Sequence, residues 1–149
     1  GSRYPTRIAV ASDGWTYVTD ALAGSVFVYD EDLALKGEIK NIERPLGIAI
    51  SQQGRLFVGD DGADCVKVFD LDGTPRRSIA LGVEMPNDLT TDSDGNLYVA
   101  DSKADRIRVF DIDGDWVRDI GAENVDAEDI DAEGIDGAPG VSELDNLPC

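Results

Sequence analysis

A pattern of short strands and tight turns is written three times along this chain, at a spacing of forty and then forty-one residues. That period constrains the fold more than any other feature, because a unit repeated at fixed spacing must stack on its neighbours. Pro5, Pro45 and Pro86 open the units, and Gly14, Gly54 and Gly95 sit in the first turn. Asp20, Asp60 and Asp101 close the second strand; Tyr29-Asp30, Phe69-Asp70 and Phe110-Asp111 close the third. The third unit is the clearest. A turn at Asp94-Gly95 leads into Leu97-Tyr98-Val99-Ala100, a polar loop follows, then Arg106-Ile107-Arg108-Val109-Phe110, and a second turn at Asp113-Gly114. Alternation of this kind suits half-buried strands, and Asp-Gly supplies the positive φ of tight hairpins. The one extra residue of the longer interval lies between Asp70 and Pro86.

Four strands per forty residues is the signature of a propeller blade. The expected class is all-β: three four-stranded antiparallel blades, half of a six-bladed β-propeller, plus an acidic C-terminal extension. The blade region is residues 1–121, with units at 5–44, 45–85 and 86–121, and the extension is 122–149. Expected strands in the first unit are Ile8–Ala11, Thr16–Thr19, Ser25–Tyr29 and Lys36–Lys40. In the second they are Gly47–Ile50, Leu56–Gly59, Cys65–Phe69 and Arg76–Ala80. Prolines fall at unit starts, in the tail, or at Pro75 after a turn, where no ladder donor is needed.

The order Pro, apolar strand, Gly turn, Tyr/Phe-Val-x-Asp, then Val/Ile-x-Val-Phe/Tyr-Asp resembles the NHL repeat over residues 4–121. The third unit is most similar, through its DGNLYVADS and RIRVFD segments. The second departs at Gln52-Gln53 and at Gly59-Asp60-Asp61, and the first has Glu31-Asp32-Leu33 where an Asp-Gly turn would stand. The resemblance specifies a repeat class rather than an activity.

Charge narrows the partners. The chain carries 31 acidic and 13 basic residues, a net −18. Ten of the acids lie in residues 119–149, which hold no Lys or Arg, so the remainder is −8. Both parts repel phosphate, which argues against the RNA-binding use that the NHL resemblance would otherwise allow. No apolar run approaches the roughly 18 residues of a membrane span. The opening residues carry no secretory leader pattern, and Gly1-Ser2 reads as an expression scar, behind which a leader could have been removed. In the extension, Val125-Asp126, Ile130-Asp131 and Ile135-Asp136 fall five residues apart, neither a strand nor a helix period. With Val141 and Leu144, these apolar residues are expected to dock on a partner surface.

Two cysteines, Cys65 and Cys149, are either unrelated thiols or a disulfide returning the C-terminus to the second blade. A disulfide would imply an oxidising compartment, extracellular or periplasmic.

Chemistry is sparse. There is no histidine, which excludes histidine triads, histidine zinc ligands and histidine general bases. No Gly-x-Ser-x-Gly elbow, phosphate loop or Cys-x-x-Cys pair is present. Asn87-Asp88, after Pro86, is similar to the calcium-ligand segment of lactonase-type six-bladed propellers, and oxygen ligands suit calcium. The matching positions in the other units, Thr6-Arg7 and Leu46-Gly47, are poor ligands, and Arg7 adds positive charge. The segments starting at Asp92 and Asp111 lack the Glu that closes an EF-hand loop and read as turns. The aspartates repeated in every unit read as structural.

Three blades cannot close a ring. Either the chain is part of a longer propeller, or two chains join head to tail, or the ends build an open array. The units are whole, so assembly between chains is expected. The function expected is a non-enzymatic protein–protein interaction or scaffold module. The alternatives are an extracellular filament subunit that uses the tail as connector, and a calcium-dependent lactonase-like hydrolase.

Overall fold

The computed structural model describes residues 3–79, 82, 85–121 and 125–126. Each unit forms one antiparallel sheet. The first contains β1 (Pro5–Val10), β2 (Thr16–Asp20), β3 (Ser25–Tyr29) and β4 (Leu35–Ile39) in sequence order. The second contains β5 (Pro45–Ile50), β6 (Arg55–Asp60), β7 (Cys65–Asp70) and β8 (Pro75–Ile79). The third contains β9 (Pro86–Thr91), β10 (Leu97–Asp101), β11 (Arg106–Phe110) and β12 (Trp116–Gly121). A two-residue strand, β13 (Val125–Asp126), pairs with the outer edge of β12 and makes this third sheet five-stranded. No helix occurs among the described residues.

The first strands of blades 1 and 2 begin three and two residues earlier than the sequence pattern predicts, at the proline itself, and β9 likewise begins at Pro86. A proline tolerates the first ladder position because its missing N–H can fall on the unpaired side. Pro45 and Pro86 are buried there. The fourth strands of the first two blades also begin one residue early, at Leu35 and Pro75.

The blades fan out from their first strands: β1 lies beside β5, and β5 beside β9. Period-2 alternation gives each blade two apolar faces, a leading face toward the preceding blade and a trailing face toward the next. Tyr17, Val26 and Val28 from the trailing face of blade 1 meet Ile48, Leu56, Val58 and Phe69 from the leading face of blade 2. Ala49, Phe57, Val66, Val68 and Ile79 from the trailing face of blade 2 meet Leu89, Leu97, Val99 and Phe110 of blade 3. The core is therefore two layers between blades, each written by the same strand positions.

Backbone approach sets the second joint. A Cβ at Gly59 would fall well inside van der Waals contact of the Pro86 carbonyl, and one at Gly47 would lie 2.9 Å from the Asn87 carbonyl oxygen. The position equivalent to Gly59 in blade 1 is Thr19. It is fully buried, and its hydroxyl donates to the Leu46 carbonyl at 2.9 Å. The departure of the second unit from the repeat pattern is thus the room that β9 requires.

Candidate functional site

The recurring aspartates are latches. Asp20 is 1% exposed and its carboxylate accepts N–H bonds from Tyr4, Leu22 and Ala23. Asp60, fully buried, accepts from Glu43, Arg44 and Gly62. Each ties the turn after its second strand to the chain segment entering the same blade. Asp101 pairs with Arg106 Nε at 3.3 Å. At Asp20, burial pushes the pKa up, but the amides of Ala23, Tyr4 and Leu22 outweigh it and hold the group below its ordinary value. A carboxylate whose oxygens are committed to backbone amides is a structural anion rather than an acid or base.

Aspartates also bind the turns between strands. Asp92 accepts from the Asp94 and Asn96 amides at 3.0 Å each, and from the Asn96 and Tyr98 side chains. Asp111 accepts from the Asp113 and Asp115 amides. The segments that resemble the start of an EF-hand are turns, as their missing Glu implies. Blade 1 makes the same turn without glycine: Leu33 takes φ 63°, where Gly73 and Gly114 take 93° and 87°. Its N–H donates to the Asp30 carbonyl just as theirs do to Asp70 and Asp111.

Asn87 and Asp88 lie on β9, Asn87 half-buried and Asp88 exposed. Leu46-Gly47 and Thr6-Arg7 occupy the matching places on β5 and β1. Arg7 donates to the Thr6 carbonyl at 2.9 Å. Among the described residues no group of three or more His, Cys, Asp or Glu is placed to hold a metal. The pair Asn87-Asp88 thus has no acidic third ligand from this set. Cys65 opens β7, fully buried, and is not a free thiol. Its expected partner Cys149 lies outside the described residues, as do the apolar residues Ile130, Ile135, Val141 and Leu144 of the extension.

One feature escaped the sequence reading. Arg108 is fully buried and its Nε donates to Asp119 at 2.9 Å. The same carboxylate accepts from Trp116 Nε1 at 2.7 Å and from Arg106 at 3.2 Å. The Arg108 guanidinium stands over the Trp116 ring, 5.7 Å from its centroid, and over Phe110 at 6.0 Å. Burial pulls the Arg108 pKa down, and the Asp119 hydrogen bond and charge oppose it. In sequence, Arg108 alternates like any exposed strand residue, so no local signal marks it.

The two end faces complete the candidate surfaces. The leading face of blade 1 carries the apolar pattern of blades 2 and 3, and among the described residues no blade lies beyond it. Ile8 is 65% and Val10 62% exposed, whereas Ile48, the counterpart of Ile8, is 7% exposed. Phe27 on that face is shielded by the Arg3 guanidinium, 4.1 Å from its ring centroid. The trailing face of blade 3 presents Tyr98, Ile107 and Ile120, counterparts of Phe57, Val66 and Ile79 in the second core layer.

Residues 84–110 match the family model described as NHL repeat. No curated protein matches the chain. Among solved structures it is similar to the hydrazine synthase of Kuenenia stuttgartiensis, with a TM-score of 0.73 and 23% identity over 82% of this chain and 37% of that one. It is similar to a chain of a nidogen/laminin complex, with a TM-score of 0.69, 26% identity, 80% of this chain and 48% of that one. It is also similar to a gluconolactonase from Xanthomonas campestris, with a TM-score of 0.67, 22% identity, 81% of this chain and 48% of that one. The chain thus spans less than half the length of each of these structures.

Proposed function

We propose that this chain, a set of NHL-repeat β-propeller blades, serves as a protein–protein interaction module whose end faces join further blades. A second copy is the occupant we assign, placed head to tail. The observation that carries the reading is the leading face of blade 1. It repeats the apolar positions that elsewhere form the blade-to-blade core, yet leaves Ile8 and Val10 open. A contiguous exposed apolar face is a feature that soluble proteins reserve for contacts.

The complement is already drawn inside the molecule. Tyr98, Ile107 and Ile120 repeat the positions of Tyr17, Val26 and Ile39, which seat Ile48, Val58 and Phe69. A copy docked by its blade 1 would meet the same chemistry, and two copies would bring six blades together. A nidogen/laminin complex among the similar structures supports propellers of this kind in protein contacts. The sequence favours a scaffold over a histidine-dependent hydrolase, since it has no histidine to act as general base or zinc ligand.

Native mass measured beside covalent mass at micromolar concentration tests the reading. A dimer or larger species is expected, and the double variant Ile8→Asp with Val10→Asp is expected to be a folded monomer by circular dichroism. A wild-type chain that stays monomeric and well folded would overturn it.

A further inference from the structure

The wedge between blades 1 and 2 is open, and the repeat supplies an internal comparison that shows why. Between blades 2 and 3 the chain fills the corresponding space itself. Arg77 crosses to the third blade and donates to the Asp113 carbonyl at 3.3 Å and to Asp115 at 3.4 Å. Arg108 and Trp116 stack beside it and share Asp119. One period earlier these positions are Gly37, Lys67, Pro75 and Ser78. Every one is smaller, and a Cβ at Gly37 would meet nothing within 4 Å. The result is a groove of about 710 Å³ that follows β4 along residues 36–41 and reaches β8 at Pro75, Arg76 and Ser78.

Charge does not select what lies there. Lys36, Lys67 and Arg76 are paired with Asp30, Asp60 and Asp70, which leaves Lys40 beside Glu38 and Asp72 in the lining. The selection is apolar: Trp15, Val28, Ile39, Phe69 and Leu71 line the groove, so its occupant must bury hydrocarbon.

Cys65 points to the source of that occupant. Side chains along β7 alternate between the two wedges. Val66 and Val68 pack toward blade 3, Phe69 packs toward blade 1, and Lys67 donates to the Asn41 carbonyl of blade 1. By the same alternation Cys65 stands on the groove side, one two-residue step of about 7 Å from Lys67. Lys67 and Phe69 both line the groove. Cys65 is held in a disulfide, and the sequence has one other cysteine, Cys149.

We propose that the groove is the seat of this chain's own residues 142–148, brought there by a Cys65–Cys149 disulfide. The lengths agree. The groove follows β4 for about 20 Å, and seven extended residues cover about 23 Å. Leu144 and Leu147 are the large apolar side chains that this segment offers. One of them takes the space that Arg77 fills in the next wedge. Residues 127–141 then join the seat to β13, with an extended reach of about 50 Å, against two sheet-to-sheet steps of about 10 Å at the core. The extension uses a blade edge once in the described residues, where β13 adds to β12, and β4 is the last strand of its own sheet. The seat goes beyond the end-face reading. It fastens blade 2 to blade 1 with a segment from beyond blade 3, and it withholds this wedge from partners.

Non-reducing peptide mapping of the full chain, joined to hydrogen exchange read by mass spectrometry, tests the proposal. A Cys65–Cys149 link within one copy is expected. Residues 142–148 and 36–41 are expected to exchange about tenfold slower in the wild type than in Leu144→Asp with Leu147→Asp, where the link still forms. Gly37→Arg, which copies the residue of the filled wedge, is expected to speed exchange of residues 142–148 with the link intact and the circular dichroism spectrum unchanged. Two free thiols, a link between two copies, or exchange of residues 142–148 at the unprotected rate in the wild type overturns the proposal. So does protection of residues 142–148 that survives both Gly37→Arg and the leucine variant, because the segment then sits elsewhere. These variants leave Ile8 and Val10 untouched, so native mass reports on blade assembly separately from the groove.

Discussion

Removing the Asp119 carboxylate should be the most damaging single change in the third blade. Asp119→Ala takes from the fully buried Arg108 guanidinium its ion-pair contact at 2.9 Å, one of its interactions, and from the Trp116 indole a 2.7 Å acceptor. Arg106 loses one carboxylate but keeps Asp101. Removing one member of a buried ion pair costs about 3–5 kcal/mol, because the remaining charge keeps its desolvation penalty. That is a large share of the roughly 5–15 kcal/mol by which domains are stable. Urea titration followed by far-ultraviolet circular dichroism, at one protein concentration for all variants, measures it. The double variant Arg108→Met with Asp119→Leu provides the control. Apolar replacement of both partners removes the stranded charge but not the loss of the Trp116 acceptor, so the double variant should be more stable than Asp119→Ala and unfold within about 2 kcal/mol of wild type. A cost below about 1 kcal/mol for Asp119→Ala, or a double variant no more stable than the single one, would mean that Asp119 does not hold a buried charge.

Other positions make sharper local statements. Leu33 is 71% exposed at φ 63°, so Leu33→Gly loses little packing and relieves the left-handed strain; a gain of about 1 kcal/mol in thermal or urea unfolding is expected. Gly59→Ala places a methyl group against the Pro86 carbonyl and should cost about 3 kcal/mol, read as a lower urea midpoint with unchanged slope. For Asp20 the folded pKa lies below the unfolded value near 4, so its contribution is fully present above about pH 4 and is lost as pH falls through the folded pKa. The stability gap between wild type and Asp20→Asn should therefore be wide at neutral pH and close below about pH 4; relief of the chain's overall negative charge acts on both proteins alike and cancels from the difference.

Local sequence patterns specify the blades. Strand alternation, Asp-Gly turns and a fixed period are local patterns whose physics is complete within a few residues, so strand number, order and turn sites follow without tertiary information. The aspartate latches were legible as structural for the same reason: a residue needed once per unit recurs once per unit. Even Leu33, which lacks the turn's usual glycine, keeps the register because Asp30 holds the loop through the Asp32 and Ala34 amides. What the tertiary structure alone decided lies between units. That Gly59 exists to admit Pro86, that Arg108 is buried rather than exposed, and that Gly37, Lys67, Pro75 and Ser78 jointly leave a groove are facts about residues one period apart. Each depends on the distance and angle at which two sheets diverge, which no residue's immediate neighbours in sequence encode.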